Sequence, residues 1–106
     1  MPDIFIDKKS LEEIRSIIKR LYPKATVWAY GSRIGCRKDS HDGSDLDLTV
    51  VDFGQKEYDI AILKEAFRES SIPFLIDVSD FRILPLNFQK EIEKKYFIVY
   101  FPKENL

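Results

Sequence analysis

Asp45 and Asp47 stand two residues apart in Ser44-Asp45-Leu46-Asp47-Leu48-Thr49-Val50, a stretch in which apolar and polar residues alternate. In an extended strand that spacing sends both carboxylates off one face, with Cα atoms roughly 6.5–7 Å apart. Two carboxylates so placed can share a divalent cation. A strand with one solvated face shows the same alternation. Aspartate is nevertheless disfavoured inside strands, and two on one face repel unless a cation or solvent separates them. A third acid, Asp77, sits inside Phe74-Leu75-Ile76-Asp77-Val78, an otherwise apolar run in which a lone carboxylate is costly to bury without a partner. If its strand lies beside the one carrying Asp45 and Asp47, the three acids make an oxygen-ligand set suited to a hard cation, magnesium first and manganese in its place. The alternative is that Asp77 marks a strand end, with Ser79 and Asp80 opening the turn.

Gly31 and Ser32 follow Thr26-Val27-Trp28-Ala29-Tyr30, where a buried strand must turn out of its sheet. Glycine lets backbone N–H groups approach an anion, the serine hydroxyl adds a donor, and a following helix would point its positive end at the same place. The run Gly31-Ser32-Arg33-Ile34-Gly35 has the spacing of neither a dinucleotide fingerprint nor a P-loop, so any phosphate site here is of another kind. Arg33 is a candidate counter-charge for phosphate, against the simpler reading of a solvated surface arginine. His41 and Cys36 are two ligands where zinc needs several, and they read as an exposed histidine and a small filler. Arg37-Lys38 is a short solvated pair, and Trp28 and Tyr30 read as core or helix-facing residues.

Elements must hold these groups in place. Ser10 followed by Glu13 has the pattern of a capping box, and Leu11, Ile14, Ile17, Ile18 and Leu21 recur at helical spacing, so a helix is expected over roughly 10–22, ended by Pro23. A strand follows over 26–30, then a polar loop from Gly31 to Ser44 with one helical turn near Arg33–Cys36. The alternation of Leu46, Leu48 and Val50 predicts the second strand. Tyr58–Ser70 carries Ile62, Leu63, Ala66 and Phe67 on one helical stripe, Phe74–Val78 is a third strand, and Pro85–Lys95 is a last helix around Leu86, Phe88 and Ile92. The apolar run Tyr96–Phe101 is expected as an edge strand against the first helix, or in part as a contact patch for another chain. The order α-β-α-β-α-β-α-β asks for an α+β fold, one mixed sheet with helices packed on it.

At 106 residues, 44% of them hydrophobic, the chain is expected to form one domain spanning 1–106. With 17 basic and 18 acidic side chains and a net charge of −1, it has no bulk electrostatic drive toward nucleic acid or an anionic membrane. Phosphate chemistry must therefore be local. No apolar stretch suits a secretory leader or a membrane span, and the lone Cys36 makes no internal disulfide, which together point to the cytoplasm.

Tyr30-Gly31-Ser32-Arg33, the segment Asp39–Gly43, Ser44-Asp45-Leu46-Asp47-Leu48 and Ile76-Asp77-Val78 together resemble the nucleotidyltransferase superfamily of polymerase-β type, closest to its minimal, stand-alone members. The similarity runs from about Thr26 to Val78 and more loosely over Phe81–Tyr100. Arg33–Ser44, between the Gly-Ser and the Asp-x-Asp, is two residues longer than the family's usual spacing. The resemblance implies a palm-like fold and a nucleoside triphosphate, ATP in first place, bound on Gly31, Ser32, Arg33 and Ser44. It further implies magnesium held by Asp45, Asp47 and Asp77, with Asp77 as ligand, general base or both, and transfer of a nucleoside monophosphate to a protein or small-molecule hydroxyl. Minimal members resemble one half of a two-protein system whose other half is a helical, HEPN-type partner. A second reading is an antitoxin-like module that neutralises such a partner by contact, its nucleotide site regulatory. A nucleic-acid-tailing enzyme fits the charge balance least.

Overall fold

A computed structural model describes residues 3–35 and 45–102. The chain runs β1 (Asp3–Ile4), α1 (Lys8–Leu21), β2 (Thr26–Tyr30), β3 (Ile34–Gly35), β4 (Leu46–Asp52), α2 (Ile60–Arg68), β5 (Ile76–Asp80), a 3-10 turn (Phe81–Ile83), α3 (Leu86–Lys94) and β6 (Phe97–Tyr100). Four strands form one mixed sheet in the order β5-β4-β2-β6, in which β4 and β5 are parallel and the other pairs antiparallel. The two-residue strands β1 and β3 pair separately. The expected α+β architecture is thus present, with β1 added to it.

Leu46, Leu48 and Val50 of β4, Val27 and Ala29 of β2, Val78 and Val99 are buried with Ile14, Ile17 and Ile18 of α1 and with Leu63 and Phe67 of α2. Helices α1 and α2 lie on the face that these alternate strand positions share. Tyr30 and Trp28 point to the opposite face, toward the α3 side. Tyr30 meets Phe88 edge-on at 5.8 Å, and Trp28 stacks on Tyr96 at 3.9 Å. None of the helices among the described residues is long and apolar enough to cross a membrane.

Several boundaries differ from the sequence expectation for identifiable reasons. Helix α1 starts at Lys8, and its cap is Asp7, not Ser10. The Asp7 side chain accepts from the Ser10 N–H at 3.0 Å, and the Ser10 side chain and N–H hold the Asp7 carboxyl below its ordinary value. The capping aspartate stands three residues ahead of Ser10, so the cap pattern is shifted by one turn. Glu13 is then released to accept from the Ser71 hydroxyl at 3.2 Å. The helical turn expected at Arg33–Cys36 is replaced by β3, because Gly35 has φ +119 and the Phe5 N–H donates to the Arg33 carbonyl at 2.8 Å. Strand β5 lies two residues further along than expected. Its parallel register, Leu46 with Ile76, leaves Phe74 and Leu75 outside and takes in Ser79 and Asp80. In α2, Ile62 is 48% exposed, and in α3 only Ile92 of the expected apolar trio is buried.

Candidate active site

Strands β4 and β5 both begin where β2 ends, so the groups singled out in the sequence converge at one end of the sheet. Asp47 is paired with Tyr30 of β2 on one side and with Asp77 of β5 on the other. Cross-strand partners share a face, so the phenol and the two carboxylates stand in one row across three strands. Asp77 is the second residue of its strand, not a strand end. Asp45, just before β4, is exposed.

Among the described residues nothing relieves the electrostatics of the row. Burial pushes the Asp47 carboxyl above its ordinary value of 3.8, and the neighbouring Asp77 and Asp45 carboxylates push it the same way. The Tyr30 phenol is likewise raised, by burial first and then by Asp47 and Asp77, while a Ser79 side-chain contact works against the rise. Acids placed in direct register without a countercharge are destabilising, and an oxygen-ligated cation is the group whose binding would reverse that sign. Among the described residues no three His, Cys, Asp or Glu side chains converge closely enough to enclose a metal ion. The donor set that fits a cation is the Asp47–Asp77 pair, with Asp45 adjoining in charge.

Gly31 closes the other side. Its φ is +92, and a Cβ at this position would stand 2.6 Å from Asp47 Oδ2, so only glycine lets the backbone lie against the carboxylate. The Ile34 N–H returns to the Gly31 carbonyl at 3.1 Å, which makes Gly31–Ile34 a closed turn with Ser32 at its tip. The turn runs directly into β3, not into a helix. Its polar groups, not a helix end, are what an anion would meet. The Arg33 guanidinium lies 4.6 Å above the Phe74 ring and donates to the Phe5 carbonyl at 3.2 Å, which anchors the turn to the segments before α1 and β5. Ser44, Cys36, His41 and the Asp39–Gly43 loop lie outside the described residues.

Two members of this neighbourhood have a place that the sequence reading did not give them. Tyr30 faces a helix as expected, through Phe88 of α3, and also stands in register with Asp47, while Ser79, expected to open a turn, lies within β5 on the face of the acids. Strand alternation places Tyr30 on a face, but only cross-strand register shows whose face it is.

A mixed sheet with Gly-Ser after one strand, Asp-x-Asp opening the next and a third acid on the parallel neighbour defines the nucleotidyltransferase fold. The chain superposes on a crystal structure of a toxin-antitoxin with AMP-PNP, with a TM-score of 0.67 over 90% of this chain and 76% of that one at 16% identity. It also superposes on the toxin-antitoxin MntA-HepT, with a TM-score of 0.63 over 93% and 76% at 15% identity. In sequence it is 33% identical over 99 residues to a probable protein adenylyltransferase MntA of Haemophilus influenzae, covering 89% of this chain and 82% of that protein. The chain belongs to this MntA family of minimal nucleotidyltransferases and is a nucleotidyltransferase. No protein-family profile matches it.

Proposed function

We propose that this chain is a magnesium-dependent, cytoplasmic adenylyltransferase that moves AMP from ATP to a hydroxyl on a separate helical partner protein. The observation that carries the reading is the register of Asp47 with Asp77 on parallel strands, with the Gly31 backbone pressed against Asp47. The names of the similar proteins, a protein adenylyltransferase and a toxin-antitoxin with AMP-PNP, support the nucleotide and the partner.

In this reading the Gly31–Ile34 turn receives the β- and γ-phosphates through its N–H groups and the Ser32 hydroxyl, with Arg33 as a fixed positive charge beside them. Asp47 and Asp77 would hold the cation, with Asp45 adding its charge beside them. When bound, magnesium supplies neutralisation of the triphosphate and acidifies the attacking hydroxyl. The acceptor oxygen forms a bond to the α-phosphorus, the bond to the β-phosphate oxygen breaks, and pyrophosphate leaves. Asp77, exposed at the start of β5, takes the hydroxyl proton.

The test is transfer of label from ATP to the protein that co-purifies with the chain. Label at the α-phosphate should become covalent and label at the γ-phosphate should not. Asp45→Asn/Asp47→Asn should lower transfer on the order of a hundredfold or more while circular dichroism stays unchanged. Undiminished transfer by that variant, or transfer of the γ label, overturns the mechanism.

A further inference from the structure

Like charges paired directly across two strands weaken a sheet, and here they fall on β4–β5, the one parallel pair among the described strands, in the pairing mode with the weaker hydrogen-bond geometry. One step inward on the same face stand Thr49 and Ser79, themselves register partners. The Thr49 hydroxyl donates to the Ser79 carbonyl at 3.3 Å, and the Ser79 hydroxyl donates back to the Leu48 carbonyl at 3.4 Å. Tyr30 reaches across β4 from β2 to bring its phenol to the Ser79 side chain, with its ring set by the edge-on contact to Phe88.

Packing alone does not account for these hydroxyls. A phenylalanine at position 30 would meet Phe88 equally well, and a half-buried phenol beside two carboxylates is costly to desolvate. What the hydroxyls have in common is the strands they join: β2 to β5 through Tyr30, and β5 to β4 twice through Thr49 and Ser79. Thr49 is fully buried, so its share of the brace is shielded from water.

We infer that Tyr30, Ser79 and Thr49 form a hydroxyl brace that sets the separation of Asp47 and Asp77, making Tyr30 and Ser79 positioning residues for nucleotidyl transfer. The inference rests on the reading of Asp47 and Asp77 as the cation-holding acids. The brace acts through strand spacing, not by touching nucleotide or cation, so its loss should loosen cation binding without unfolding the sheet.

The experiment measures Mn2+ binding to the nucleotide-free full chain by electron paramagnetic resonance, together with the metal concentration for half-maximal transfer and the Tm. Tyr30→Phe and Ser79→Ala should each weaken Mn2+ binding about tenfold, with Tm within about 2 °C of wild type. The double variant should lose little more than either single one, because both break the same contact. Ser79→Thr, which keeps the hydroxyl, should restore binding. Unchanged Mn2+ binding in both single variants, independent losses that multiply, or failure of Ser79→Thr to restore binding overturns the brace. A wild-type chain that binds no Mn2+, while Asp47→Asn leaves transfer intact, overturns the reading of the site itself and the brace with it.

Discussion

The two ends of β4 are built on opposite terms. At its start, Asp47 faces Asp77 and lies under Gly31, half-buried and pressed by neighbouring carboxylates. Past its far end Phe53 is fully buried, stacked on Tyr58 at 4.0 Å and met edge-on by Tyr22 at 5.2 Å, with the Arg82 guanidinium 5.0 Å above the Tyr58 ring. Each end also has a left-handed glycine pressed on a neighbour. Gly31 lies against a side chain, and Gly54, φ +75, lies against the Lys24 carbonyl, which a Cβ there would overlap. The aromatic end makes the contacts that stabilise a strand, and the acidic end carries repulsion that a bound cation would relieve. Stability and chemistry are separated along about 20 Å of one strand.

That separation can be broken at either end. Phe53→Ala removes a fully buried ring and should cost about 3–5 kcal/mol, read as a large fall in Tm. ATP affinity measured well below the melting point should stay at the wild-type value, and a parallel loss would show that the two ends are coupled. The glycines should divide the same way. Gly54→Ala meets unyielding backbone at a positive φ and should cost about 1–3 kcal/mol, with nucleotide binding retained. Gly31→Ala meets a carboxylate that can swing aside, so thermal denaturation should register less and ATP titration more. A Gly31→Ala chain that binds ATP normally would remove the turn from the site.

The smallest effect has the least usual sign. Because Asp47 holds its proton more tightly folded than unfolded, its ionisation penalises the fold above the raised value, and that penalty vanishes as pH falls below the ordinary 3.8. Asp47→Asn should therefore raise Tm by a few degrees near neutral pH, and the advantage over wild type should shrink on acidification. Melting curves of the two proteins across pH test this, and equal Tm at every pH would show that Asp47 carries no repulsion.

Most of this layout was legible in the residues. The strand over 26–30 followed from its run of β-favouring residues and the second strand from alternation, and the candidates Gly31, Ser32, Asp45, Asp47 and Asp77 from residue type and order. What periodicity does not carry is register. The sequence gives no sign that Ile76 rather than Phe74 aligns with Leu46, and that pairing decides that Ser79 joins the sheet and faces Tyr30. Strand β1 escaped for a similar reason, since two residues have no period and form a strand only because Ile34–Gly35 meets them. The α1 cap was misplaced because Asp7 and Ser10 are both good cap residues, and the contact that chooses between them is three-dimensional.

The Arg15 guanidinium, reaching from α1 to donate from Nε to the Val99 carbonyl at 2.8 Å, has a consequence for how the protein keeps company with copies of itself. Strand β6 is an outer strand of the sheet and carries Ile98 and Tyr100. A second molecule adding its own strand there would have to displace a charge-assisted bond worth about 1.5–3 kcal/mol. Arg15 thus places a charge on the margin where a second strand would have to bond, a feature that disfavours fibril-like stacking.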